Sequence, residues 1–348
     1  MMQLFEKYKS LLKDDEGLRA IEVEMTRQKS DLYDTYNTQK TMIYEMAAAI
    51  QKSRNVLLLG MGASHFVNQI FAFQIRKMGI EASAIPASEF LYDPIPVNNK
   101  IVILTSQSGE SIETVKCLPD LSNIDVYSVT LTADSTIAKQ TKSVICSGGG
   151  EKAYAGTRSV TLTLAAFAFV AERLGQIHFD QIRQAIEFEQ ADMVAMEKAI
   201  WTLFSKNSII ATGRSLFAPL AQLFALGCEE LGTKPVLCNE TGMFRHGPME
   251  ILDSDTVLVV FRQEGELGEL CTSFEAAQKQ SGCSLIVLDS SGLAPLTDAI
   301  TISCPIGSDI TAVLGMMTTF QTLMVAYACG KNPRTGLPRY GSKVTVKE

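Results

Sequence analysis

The stretch Ile101-Val102-Ile103-Leu104-Thr105-Ser106-Gln107-Ser108-Gly109-Glu110-Ser111 changes character half-way along. Five apolar or β-branched residues come first, and then a run of hydroxyl and amide side chains around one glycine. A short continuous apolar run closed by such residues reads as a strand buried on both faces, the usual state of strands in a parallel sheet. Four more runs of this kind lie in the first half, Asn55–Gly60, Glu81–Pro86, Val126–Leu131 and Ser143–Cys146, with Ile101–Ser106 between them. The second half offers Ser208–Thr212, Lys234–Cys238, Thr256–Phe261, Ser284–Leu288 and Ala299–Ser303. Paired in order, the second set starts 153 to 158 residues after the first. A near-constant offset over five strands is the mark of a duplicated unit. The expected fold class is therefore α/β, two duplicated domains, each a five-stranded parallel sheet flanked by helices.

Helical spacing fills the gaps. His65–Met78 and Leu216–Leu231 follow the first strand of each set, Asp31–Ser53 precedes the first set, and Asp180–Phe204 joins the two. The expected division is residues 1–30 as an N-terminal helical segment, 31–180 and 181–335 as the two domains, and 336–348 as a C-terminal tail. With 348 residues, 46% hydrophobic and 20% charged, the chain is long enough for two cores and too apolar for disorder. A net charge of −7 speaks against nucleic acid as a partner. The longest apolar stretch, read as Ser159–Ala171, is too short for a bilayer, so no membrane association is expected. Eight cysteines without a CxxC pair read as buried free thiols of a cytoplasmic protein. With three histidines, none spaced with a Cys or another His, no metal and no cofactor are expected.

In parallel sheets ligands gather beyond the carboxyl ends of the strands, so the loops there carry the chemistry. After the first strand comes Gly60-Met61-Gly62-Ala63-Ser64, where small residues let a ligand approach backbone N–H groups at a helix start. A dinucleotide fingerprint would need a third glycine, and a P-loop would need a lysine; a plain tight turn remains open. The serine turn is more specific. Ser106, Gln107, Ser108 and Ser111 bring several donors where a helix cap needs one, and the helix after them adds its N-terminus, which suits a phosphate monoester held without Lys or Arg. The matching loop of the second set, Phe261–Glu266, is acidic and has no serine, so one phosphate site per chain is expected. Gly148–Arg158 holds Glu151, Tyr154 and Gly156 where close approach to a sugar is possible. In the second half, Glu230 near a helix end and Glu240 and His246 in the following loop offer a carboxylate and an imidazole around one strand mouth.

These residues together resemble the tandem sugar-isomerase (SIS) domain family, similar to the isomerase half of glucosamine-6-phosphate synthase, stand-alone phosphosugar isomerases, aminosugar-phosphate deaminases and fructosamine-6-phosphate deglycases. The resemblance spans roughly residues 30–348 and rests on Ser106–Ser111, Phe244-Arg245-His246-Gly247-Pro248 and Pro338-Arg339-Tyr340-Gly341-Ser342-Lys343. It implies a small-molecule sugar phosphate as ligand, its phosphate held by Ser64, Ser106, Gln107, Ser108 and Ser111. It implies catalysis by Glu230 as the base moving a proton between C1 and C2, by His246 in ring opening, and by Lys343, which would stabilise charge at the substrate oxygen or form an imine. Weaker sugar contacts would come from Gly62, Glu151, Tyr154, Gly156 and Glu240, with Glu240 protonating a leaving amine. The relatives' hydroxyl before Ser64 is replaced by Ala63, and their serine at Gly156 is missing. A homodimer is expected from the same analogy. The sequence opens Met1-Met2-Gln3 with no glutaminase domain, so the expected activity is isomerisation, deamination or deglycation of an (amino)sugar 6-phosphate. The alternatives are a non-catalytic phosphosugar-binding regulator and, disfavoured by the incomplete glycine pattern, a nicotinamide-dependent oxidoreductase.

Overall fold

The computed structural model describes residues 2–345 and contains ten strands in two all-parallel sheets. The first is built from β1 (Asn55–Gly60), β2 (Glu81–Pro86), β3 (Ile101–Thr105), β4 (Val126–Thr130) and β5 (Lys142–Ile145), in the order β2-β1-β3-β4-β5. The second has β6 (Ser208–Gly213), β7 (Leu237–Glu240), β8 (Thr256–Arg262), β9 (Ser284–Asp289) and β10 (Ile300–Ser303), ordered β10-β9-β8-β6-β7. Read from the other edge the second order repeats the first strand for strand, as duplication requires.

Two compact units form around these sheets. The first-sheet unit takes Ala20–Gln184 and the chain from Pro338 on; the second-sheet unit takes Ala185–Leu337 and the residues before Ala20. The stretch 1–30 is therefore not a segment of its own, and the two chain ends join the units remote from them in sequence. Phe5 and Tyr8, on the helix Met2–Lys9, are buried in the second-sheet unit, where Tyr8 meets Phe204 edge-on at 5.5 Å.

In the first-sheet unit, alternate residues of β1 face opposite ways: Leu57 and Leu59 join Phe90, Val102, Leu104 and Ile137 in one apolar cluster. The helices Gly62–Arg76 and Arg158–Arg173 pack together, with Phe71 stacked on Phe167 at 4.4 Å. In the second-sheet unit the helix Phe217–Gly232 packs on Ile310–Lys331, and Gly227 leaves the space that Met324 Sδ fills: a Cβ there would stand 1.9 Å away.

Several expectations need correction. The helix Ile310–Lys331, not Ser159–Ala171, is the longest apolar one; its 22 residues are long and apolar enough to cross a membrane, but 94% of its apolar window is buried, as in a core helix. The joining helix is two, Phe179–Glu187 and Met193–Ser205, because Asp192 accepts from Ala195 N at 2.9 Å and caps a new start. Asp31–Ser53 is likewise split, into Glu16–Thr38 and Lys40–Ser53. β7 starts three residues later than expected: Thr233 takes φ +54° to end the preceding helix, Pro235 has no N–H to give a ladder, and Val236 N donates to Glu229 Oε1 at 3.1 Å.

Candidate active site

Register brings the first two loops side by side. Gly60 of β1 pairs with Thr105 of β3, so the chain leaving each strand enters the same mouth. A Cβ on Gly60 would stand 2.9 Å from Thr105 O and 3.0 Å from Asn68 Nδ2, so only glycine allows this approach. Thr105 Oγ1 donates to Asn68 Oδ1 at 2.6 Å, which ties β3 to the helix Gly62–Arg76. Gly62 opens that 15-residue helix at φ +50° with open space around it, and Ser64, 7% exposed, lies in its first turn. The first turn of a helix this long leaves backbone N–H groups and a partial positive charge at the mouth. His65 next to it is half-buried with Nδ1 unpartnered, and burial pushes its pKa below the ordinary value.

The serine turn is held from behind. Gly109, at φ +68°, donates to Ser106 Oγ at 3.1 Å, and Ser108 Oγ accepts from Glu110 N at 3.2 Å. Glu110 grips Thr136 through both its N–H (2.7 Å) and its hydroxyl (2.9 Å). Ser106 Oγ lies 3.1 Å from Ser111 Oγ. Ser111 precedes the helix Ile112–Lys116 yet makes no side-chain capping bond, so its hydroxyl is not spent on a cap. That helix has only five residues, so it supplies little of the dipole expected there; the Gly62 helix is the stronger end. Gln107 Oε1 lies 2.7 Å from Ser159 Oγ, while its Nε2 is buried without a partner. A buried donor left unmade costs about 1–3 kcal/mol, and an anion in the turn would relieve it.

Glu151 is buried and committed to structure rather than standing open to a sugar. Its Oε1 accepts from Thr157 N (2.9 Å), Thr157 Oγ1 (2.7 Å) and Arg158 N (2.9 Å), and its Oε2 from Ser159 N (3.3 Å) and the Ser159 hydroxyl. It thereby satisfies the orphan N–H groups that begin the buried helix Arg158–Arg173. Arg158 is fully buried against Glu24, Asp31 and the Ser147 and Gly149 carbonyls. Gly156 lies close behind Gln107: a Cβ on it would stand 3.3 Å from Gln107 Oε1. The tail returns to this loop. Lys343 Nζ donates to Tyr154 O at 3.2 Å and lies 3.4 Å from Glu151 Oε2, and Ile112 N donates to Thr345 O at 3.1 Å. Lys343, Tyr154, Glu151, Gly156, Gln107, Ser106 and Ser111 are thus linked within the first-sheet unit. Ser159, between Gln107 and Glu151, was hidden from the sequence as the first residue of an apolar run.

Glu230, Glu240 and His246 belong to the second-sheet unit. Glu230 is half-buried in the last turn of the helix Phe217–Gly232, and His246 is exposed just after the short helix Thr241–Arg245. Glu240 is not an open acid: its Oε2 accepts from Met243 N at 2.9 Å as the cap of that helix, and its Oε1 lies 3.8 Å from Arg214 Nη1.

Two stretches of the chain, residues 49–173 and 202–329, match the family description of the SIS domain, and each contains one of the two sheets. The chain is a tandem SIS-domain protein. It is 25% identical over 327 residues to a glutamine–fructose-6-phosphate aminotransferase (isomerizing) of Pyrobaculum aerophilum, covering 89% of this chain and 54% of that one. It spans about half the length of the curated relatives it matches. The C-terminal domain of glucosamine-fructose-6-phosphate aminotransferase from Francisella tularensis superposes with a TM-score of 0.77 at 19% identity, covering 90% of this chain and 97% of that one. Glucosamine-6-phosphate deaminase from Thermotoga maritima gives a TM-score of 0.71 at 20% identity, covering 91% and 99%. At these identities the structural likeness is one of fold.

The second SIS copy treats its equivalent turn differently. Arg262, 2% exposed, donates to Gly268 O (2.9 Å), Ala294 O (2.9 Å) and Asp289 Oδ2 (3.2 Å). Where the first SIS copy has serine hydroxyls, the second has a guanidinium already taken up by its own loops.

Proposed function

We propose that this SIS protein binds a sugar 6-phosphate and catalyses aldose–ketose isomerisation, or deamination or deglycation of an aminosugar phosphate, by moving a proton between C1 and C2. The phosphate part carries the proposal, and one observation supports it above the rest: the serine turn holds more donors than its own fold uses. Ser111 makes no cap, Ser106 and Ser111 hydroxyls adjoin at 3.1 Å, and Gln107 Nε2 is buried without an acceptor. Binding the remote phosphate there would supply the energy that positions the reacting end. The proton on carbon beside a carbonyl or imine is acidic only because that group takes up charge, so the reaction needs a carboxylate and a cation or donor near the oxygen. In this proposal Glu230 is the base, His246 assists ring opening and Lys343 stabilises the oxygen. The matched relatives and neighbours, an isomerizing aminotransferase and a deaminase by name, support this class of chemistry.

Glu230→Gln tests it. Phosphosugar affinity is expected to stay within about twofold while turnover falls by about 10²–10⁴, the usual share of a general base. A panel of phosphorylated ketoses, aldoses and aminosugars, read for isomerised sugar, ammonia and free amino acid, selects the reaction. Binding without turnover across the panel would select the regulatory reading instead. A homodimer belongs to the same proposal, and light scattering on the eluting peak checks it.

A further inference from the structure

Ser159 is fully buried at the start of the helix Arg158–Arg173, and its hydroxyl oxygen stands between two acceptors. Gln107 Oε1 is 2.7 Å away, and Glu151 Oε2 is in short contact on the other side. A serine hydroxyl carries one hydrogen and donates to one of them at a time. We propose that Ser159 is a positioning residue that couples the serine turn to Lys343 by giving this hydrogen to Gln107 when an anion occupies the turn and to Glu151 when it does not. The inference rests on the phosphate reading above and deepens it.

With the turn empty, Ser159 donates to the Glu151 carboxylate, and Gln107 keeps Oε1 towards Ser159 with Nε2 unmade. With an anion present, Nε2 is drawn to it, Oε1 faces Ser159, and the hydroxyl hydrogen turns to that oxygen. Glu151 Oε2 then loses a donor, and its charge falls more fully on Lys343 Nζ, 3.4 Å away. The ammonium is held more tightly by a carboxylate with fewer competing donors. Anion binding in the turn is in this way transmitted to the end of the tail through three side chains, with no backbone movement required.

Trace acetylation of Lys343, quantified by mass spectrometry against the exposed Lys52, reads the coupling directly. Inorganic phosphate is the probe, and calorimetry reports its binding separately. In the unmodified protein saturating phosphate is expected to slow Lys343 acetylation about threefold or more. In Ser159→Ala phosphate still binds, but the rate changes by less than about 1.5-fold. Equal slowing in Ser159→Ala overturns the coupling and leaves the phosphate site standing. Failure of the unmodified protein to bind phosphate overturns the site and the coupling together. If Ser159→Ala does not fold or bind, Ser159→Gly, which also lacks the donor hydrogen, takes its place under the same two outcomes.

Discussion

Replacing Arg158 by methionine removes a buried guanidinium that has four polar partners. Its Nη1 lies 3.0 Å from Asp31 Oδ2 and 3.2 Å from Ser147 O, its Nη2 2.8 Å from Gly149 O, and its Nε donates to Glu24 Oε2. The side chains of Glu24 and Asp31 are 3% and 8% exposed, so water does not reach them freely. Removing one partner of a buried ion pair costs about 3–5 kcal/mol, because the other charge stays buried. Two neighbours soften the loss. Arg27 Nη2 remains 3.3 Å from Asp31, and Lys152 N remains 2.7 Å from the other Glu24 oxygen. The expected loss at pH 7 is therefore near the lower end, about 3 kcal/mol.

The pH dependence separates this from a simple cavity effect. Burial alone would raise the Glu24 carboxyl, but the Lys152 N–H and the Arg158 guanidinium outweigh it and hold the group below the ordinary carboxylate range. A carboxyl depressed in the folded state gives stability that is present above its unfolded pKa and lost as pH falls through the folded one. In Arg158→Met the guanidinium is gone and burial dominates, so Glu24 takes up a proton at a higher pH and the variant's penalty shrinks. The gap between the two proteins should narrow from pH 7 towards about pH 4. Urea unfolding followed by circular dichroism, with hydrogen exchange of the helix Arg158–Arg173, measures it. Fluorescence would not serve, since the single tryptophan, Trp201, belongs to the second-sheet unit. A loss below about 1 kcal/mol at pH 7, or a gap that widens in acid, refutes the reasoning.

Gly109→Ala should weaken phosphate binding about tenfold or more while the chain still folds: φ is +68° there, and a Cβ would stand 2.0 Å from Ser135 Oγ, so the serine turn must move. Isothermal calorimetry with inorganic phosphate checks it, and unchanged affinity removes the turn from the binding site. Burial pushes the thiols of Cys117, Cys146, Cys238 and Cys304 up to about 12 and that of Cys271 to about 11. The native protein should thus release at most about one equivalent from Ellman's reagent within minutes at pH 8, and eight after unfolding.

What could be read in the sequence follows from what sequence encodes locally. The strands were legible because a parallel sheet buries both faces, which leaves unbroken runs such as Val56–Leu59 and Val257–Phe261. The breaks at Gln39 and Asp192 were not, since apolar spacing continues across both. The serine turn was legible as a local cluster of donors. The reach of Lys343 to Glu151 was not, because 192 residues separate them and only the folded chain brings the tail back. The commitments of Glu151 and Glu240 to helix ends were not legible either, since a carboxylate one to seven residues ahead of a helix looks the same whether it caps or binds. Glu24 and Asp31 did carry a signal. They stand seven residues apart, on one face of the helix Glu16–Thr38, and two acids on a buried face require a cation, which Arg158 supplies.

The duplication shows where the proposed difference between the two mouths, an anion site at one and none at the other, has to arise. A repeated strand order gives two sheets whose carboxyl ends are equivalent by geometry, so any difference between them must come from side chains. In the first copy the residue after β3 is Ser106, whose hydroxyl both donates and accepts and can be satisfied by its neighbours or by a ligand. In the second, the equivalent position at the end of β8 holds Arg262, five donors on a buried side chain that must be satisfied whether or not a ligand is present. Asp289 and the carbonyls of Gly268 and Ala294 meet that need, and in doing so they tie the loops after β8 and β9 to each other. Adding serines to the second loop would therefore leave it shut while Arg262 stays. An anion site there requires first that the guanidinium and its carboxylate partner be removed together, since removing either alone strands a buried charge.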